Sequence, residues 1–145
     1  MHTLAFRTSN VGSAAACLEL IAHATIACRI REIEISLVTA AATVIGLGRP
    51  AAIGVDPTTP LTALAEDSGL AAGGTRGATA WTTTAPTVPA QFMRRASFAA
   101  TIGERIVWTW ERGHELVVVP SASVVLWNII GGAKLDVSNR VYESP

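Results

Sequence analysis

Charge is what this sequence is short of. Charged side chains make up 15% of its 145 residues, and 11 basic and 11 acidic residues cancel, whereas an average soluble domain carries about 25% charged residues. A nucleic-acid binder draws its affinity from neutralising phosphates and so shows a basic excess or stripe. None is present, and nucleic acid is not an expected partner. Cysteine is scarcer still. Cys17 and Cys28 are the only two, too few for a disulfide framework. They read as small buried residues. The alternatives are one disulfide, or a zinc site that uses His23 and still wants a fourth ligand. Long hydrophobic runs are missing too. Leu37 to Gly48 is the longest candidate and includes Thr39 and Thr43, well short of the roughly 20 residues a spanning helix needs. The apolar run from Ala14 to Ala27 is broken by Glu19 and His23. Met1 to Asn10 alternates like a strand and has no basic segment followed by an unbroken apolar one, so no signal peptide and no membrane association are expected.

What is present is β-structure. Half of the residues are apolar, and in the C-terminal third they come in short runs rich in Val, Ile and Trp, separated by ERGHE, PSAS and GGAK. Ile106, Trp108 and Trp110 fall on one face of an extended segment, as do Leu135, Val137, Asn139 and Val141, because strand side chains alternate with period two. Gly131-Gly132 signals a two-residue hairpin, and ERGHE, which holds His114, reads as a solvated hairpin loop. Upstream, strands are expected over His2–Thr8, Ala16–Ala24, Cys28–Ala40 and Ala42–Leu47. A helix over Ala14–Leu37 is the rival for two of these. It loses because Ile33, Ile35 and Leu37 alternate cleanly with Glu32, Glu34 and Ser36, and β-branched residues accumulate.

The texture changes between Gly48 and Pro89. This stretch holds Pro50, Pro57, Pro60, Pro86 and Pro89 of the seven prolines, with many Gly, Thr and Ala. It predicts an extended loop region with two short strands, Leu61–Leu64 and Ala78–Thr83. An irregular stretch of that length tends to be functional or interface-forming. A further strand is expected over Gln91–Ala100. The whole, residues 1–145, is expected to be one all-β domain: an antiparallel β-sandwich, with the jelly roll as its favoured form and an immunoglobulin-type sandwich, which lacks a Cys-Trp-Cys signature here, as its rival.

No motif carries chemistry. Gly46-x-Gly48-x-x-Ala51 follows a strand and precedes Glu66-Asp67 at about the spacing of a dinucleotide fingerprint. The helix that motif requires would contain Gly54, Pro57 and Pro60, which a helix interior does not tolerate. A tight turn leaving a strand is the reading adopted. His2, His23 and His114 have no metal-ligand spacing, and no G-x-S-x-G elbow positions a nucleophile. No enzyme activity, catalytic residue, metal or cofactor is expected. The candidate interface residues are Trp81, Trp108, Trp110 and Trp127, for which core packing and a sugar-stacking face are the alternatives, and Arg94 and Arg95, which alternation sends to opposite faces.

The segments LAFRTSNVGSAAA, GLGRPAAIGV, WTTTAPTVPAQFMRR and ATIGERIVWTW…LVVVPSASVVLWN give the chain a resemblance, along nearly its whole length, to small virion structural proteins of tailed bacteriophages. The resemblance implies a jelly-roll or β-sandwich subunit made in the host cytoplasm and assembled on the virion. A head decoration or cement protein is the first expectation; a tail, neck or fibre component, or a lectin-like carbohydrate-binding module, is the alternative. It implies no catalytic residues. The implied partners are the chain itself, with a trimer favoured, and the major capsid protein or other virion proteins.

Overall fold

The structure, a computed structural model, describes residues 1–9, 12–55 and 60–144. It is all-β, with two antiparallel sheets packed face to face. The strands are β1 (His2–Arg7), β2 (Ala15–Ile21), β3 (Ala27–Leu37), β4 (Thr43–Gly48), β5 (Leu61–Thr62), β6 (Leu64–Ala65), β7 (Arg76–Ala78), β8 (Phe92–Phe98), β9 (Arg105–Thr109), β10 (Leu116–Val118), β11 (Ser123–Ile130) and β12 (Leu135–Ser144). The first sheet runs β10-β3-β12-β1-β6, with β9 also on β3; the second runs β5-β7-β2-β11-β4-β8.

Alternation builds the core. Ile33, Ile35 and Leu37 on β3 and Leu135, Val137 and Val141 on β12 face Leu18, Leu20, Ile45, Leu47, Val124 and Leu126 of the other sheet, all essentially without solvent exposure. The period slips once within β3. Arg140 pairs with Glu32 and Val141 with Ile30, so Arg31 is an extra residue on β3. This bulge changes phase: Cys28 and Ile30 point inward before it, and Ile33, Ile35 and Leu37 after it.

Two expected hairpins are corrected. Gly131–Lys134 does not join paired strands, because β11 lies in the second sheet and β12 in the first. Gly131, at φ +93°, turns the chain from one sheet to the other. The ERGHE loop is not a hairpin either. Thr109 pairs with Glu32 and Leu116 with Ile30, both antiparallel to β3. β9 and β10 therefore run end to end in one edge position, and the residues between them loop outward. The strand expected over Ala42–Leu47 is β4, which holds Gly46 and ends at Gly48. Their missing side chains make room for the returning chain: a Cβ on Gly46 would lie 2.5 Å from the Phe92 ring, and one on Gly48 would lie 2.5 Å from Pro89. Within 48–89, the expected strand over Leu61–Leu64 is two bridges that straddle Ala63. β5 pairs with β7 of the second sheet and β6 with β1 of the first. The segment thus closes one open edge of the sandwich, with Ala63 fully buried at the crossing. The strand expected over Ala78–Thr83 ends at Ala78, because the chain then folds over the sheet to seat Trp81.

Asn139 occupies a core-facing position on β12. It is wholly buried, and neither its amide nitrogen nor its amide oxygen has a partner among the described residues. An unpaired buried amide costs about 1–3 kcal/mol of desolvation. Asn139→Val, which suits a strand, is expected to stabilise the protein by about that amount, raising Tm by roughly 2–4 °C per kcal/mol. Urea melts of both proteins check this. A less stable variant would mean that the amide is solvated internally.

Candidate functional site

The two outer faces of the sandwich differ. That of the second sheet is covered by its own chain. β2 is buried on both sides: Leu18 and Leu20 enter the core, while Glu19 and Ile21 face outward and are buried all the same. Glu19, with no exposed surface, is the tie that holds the cover down. Its carboxylate accepts hydrogen bonds from the Trp81 Nε1–H at 2.9 Å, the Ser123 hydroxyl at 2.6 Å and the Gly54 N–H at 3.1 Å. Three donors satisfy a polar group that would otherwise be costly to bury. Gly54 has to be glycine, since a Cβ would lie 2.2 Å from the Trp81 ring. Inside the cover, Thr82 N–H donates to the Val55 carbonyl and Val55 N–H to that of Thr84.

The six candidate interface residues do not form one face. Trp108 is 7% exposed and belongs to the core. Trp110 packs partly buried against that core and carries the Arg94 guanidinium over its ring at 5.6 Å. Arg94 is paired with Leu47, and Arg95 with Gly46. They point to opposite faces, as alternation requires, and Arg95 lies over the Phe92 ring at 5.9 Å. Trp127 pairs with the outward-facing Gly46 and is half-buried. Trp81 is spent on Glu19.

The exposed apolar side chains lie elsewhere. Ile53, Val55 and Val88 are about half exposed on the segment that covers the second sheet. Leu61 and Leu64 flank the buried Ala63 on the closed edge, and Leu64 is 66% exposed. With Pro60, Thr3 and Ala5 they line a hollow of about 280 Å³.

The outer face of the first sheet is polar. Cross-strand ion pairs join Arg7 to Asp136 at 2.7 Å, Arg105 to Glu34 at 3.3 Å and Arg140 to Glu32 at 3.6 Å. These exposed pairs contribute little to stability. At the end of this face next to the ERGHE loop, Arg29, Arg31, Arg112 and Tyr142 surround a hollow of about 400 Å³. Pattern reasoning along the chain misses this group. Its only local signal is Arg29-x-Arg31 on the polar side of an alternating strand.

Most of the remaining titratable groups are buried or held by local partners. Cys17 and Cys28 are buried free thiols, and burial pushes them up to about 12 and about 11. His23 is held by Thr25, and the Nε2 of His2 lies 3.3 Å from the Ala71 carbonyl. Glu66 and Asp67 are used separately, the first on Thr3 and Arg140 and the second on the Gly69 N–H. Among the described residues no group of three or more His, Cys, Asp or Glu is placed to hold a metal ion, and no helix is long and apolar enough to cross a membrane. No family model, curated protein or solved structure matches this chain.

Proposed function

We propose that this chain is a non-enzymatic structural subunit of a tailed-phage virion: a jelly roll that associates with copies of itself, as a trimer, and docks on the particle as a head decoration protein. The observation that carries this reading is the cover over the second sheet. Its inner side is tied down by Glu19, and its outer side presents Ile53, Val55 and Val88 to solvent. Exposed branched apolar side chains on a well-anchored segment mark a contact surface. The edge leucines Leu61 and Leu64 extend the apolar supply. Strand order supports the jelly-roll plan. Without the short bridges it is β1-β12-β3-β9/β10 in one sheet and β2-β11-β4-β8 in the other, with successive strands mostly crossing between sheets, as in two Greek keys folded over each other. Virion localisation rests on the sequence resemblance.

Light scattering at micromolar concentration tests the association. About three times the 15.1 kDa chain mass is expected, and the triple substitution Ile53→Ser, Val55→Ser, Val88→Ser is expected to yield monomers that remain folded. A clean wild-type monomer would refute self-association. Co-sedimentation with particles that lack the protein then tests docking.

A further inference from the structure

The arginine hollow on the uncovered face is used by neither the fold nor the proposed assembly role. Arg29 and Arg31 project outward from β3 on either side of the inward-facing Ile30. Arg112 reaches the same hollow from the loop that interrupts the β9–β10 edge. Arg31 is held in place, its guanidinium 5.8 Å above the Tyr142 ring and its Nη1 3.5 Å from the phenol oxygen. Among the described residues, neither Arg29 nor Arg112 has a carboxylate within ion-pair distance. Two carboxylates share the wall, but both have other donors. Glu115 takes the Gly113 N–H on both oxygens at 3.0 Å, and Glu143 takes the N–H groups of Gly74 and Thr75. Burial works against the charge on Glu143, yet the hydrogen bond from the Gly74 N–H and those from Thr75 hold it below the usual range. Next to this hollow lies a second of about 230 Å³ that shares Arg31 and Tyr142 and adds Glu32, Thr109, Trp110 and Arg140.

We propose that the two adjoining hollows bind an acidic saccharide, the first taking the carboxylate of a uronic-acid unit and the second the hydroxyls of its neighbour. Forked guanidinium groups suit a planar carboxylate. Glu115 and Glu143 in the same wall repel a phosphate dianion more than a carboxylate monoanion. The second hollow mixes acceptors (Glu32, Thr109) with donors (Arg140, Thr109), the pairing that sugar hydroxyls need because each both donates and accepts. The site lies on the sheet face opposite the cover, so it does not depend on the assembly role.

The test titrates the full-length protein with tetragalacturonate, followed by amide chemical shifts, alongside a neutral galactose tetrasaccharide and inorganic phosphate. Shifts are expected around Arg29, Arg31 and Tyr142 with the acidic sugar. R29Q and R112Q are each expected to weaken binding by about tenfold or more, the loss of a charge-assisted hydrogen bond, while R105Q, at the far end of the same face, leaves it unchanged. Thermal melts establish that each variant is folded, and R112Q, in a loop, decides the matter if R29Q is not. The proposal is overturned by absence of binding at millimolar sugar, or by binding that R112Q leaves intact. Equal affinity for the neutral sugar removes the role of the arginines and overturns it as well. Equal affinity for phosphate overturns it in favour of a general anion hollow.

Discussion

Glu19→Ala is expected to free the stretches around Gly54 and Trp81 from the second sheet and to lower stability by about 2–4 kcal/mol. The substitution removes the acceptor shared by three donors: the buried Ser123 hydroxyl and the half-buried Trp81 Nε1–H and Gly54 N–H. A hydrogen bond contributes about 0.5–1.5 kcal/mol net, and a buried donor left unpaired costs about 1–3 kcal/mol. The three share one partner, so their losses overlap. Out of a typical total of about 5–15 kcal/mol, this is a large fraction. The half-buried Trp81 ring should become more exposed, shifting its emission to the red, and protease should cut next to Gly54 and Trp81 before it reaches the long strands. Glu19→Gln keeps one acceptor oxygen and is expected to cost less. An alanine variant with unchanged urea midpoint and proteolysis would show that the cover is held by apolar contact alone.

Gly131→Ala is the second large effect, with an expected loss of about 3 kcal/mol or more. Gly131 sits at φ +93°, and a Cβ there would lie 2.1 Å from the Ala42 carbonyl oxygen and 2.9 Å from the Thr43 Cα. Both obstacles are backbone, so no rotamer change relieves them. The turn cannot drift away easily, since the Gly131 carbonyl accepts from Ser13 Oγ at 3.2 Å and Asn128 Nδ2 at 2.7 Å. Gly103 supplies the control. It has φ +84° but nothing within 4 Å of a built Cβ, so Gly103→Ala bears only the left-handed backbone penalty of about 1–2 kcal/mol. Chemical denaturation of both variants separates steric conflict from backbone strain. Equal losses would mean that the Ala42 contact yields.

Which residues share a strand face is legible in the sequence. Ile33, Ile35 and Leu37 and the series Leu135, Val137, Asn139 and Val141 share buried faces as alternation predicts. The opposed directions of Arg94 and Arg95 follow from the same rule. Glu19 is visible only as an interruption in an apolar run. Alternation cannot distinguish a charge facing water from one buried under a segment that returns more than thirty residues later. The Gly131-Gly132 signal marks a change of direction correctly and its partner wrongly, because a turn residue says nothing about which sheet receives the next strand. The packing role of Gly46 and Gly48 is hidden for a related reason: glycine serves a turn and a close packing contact equally well.

The sequence by itself determined the β-class, the position of most strands, which side of each faces inward and where the irregular segment lies. All of these depend on neighbours within a few residues, where side-chain period and turn chemistry act. Tertiary structure alone decided that β11 and β12 belong to different sheets, that β9 and β10 share one edge position, that Glu19 fastens Gly54 and Trp81, and that Arg112 joins Arg29 and Arg31. Each of these unites residues far apart in the chain. Their pairing is set by which arrangement buries both apolar sheet faces and satisfies the buried polar groups together, a condition on the whole chain that no local window contains.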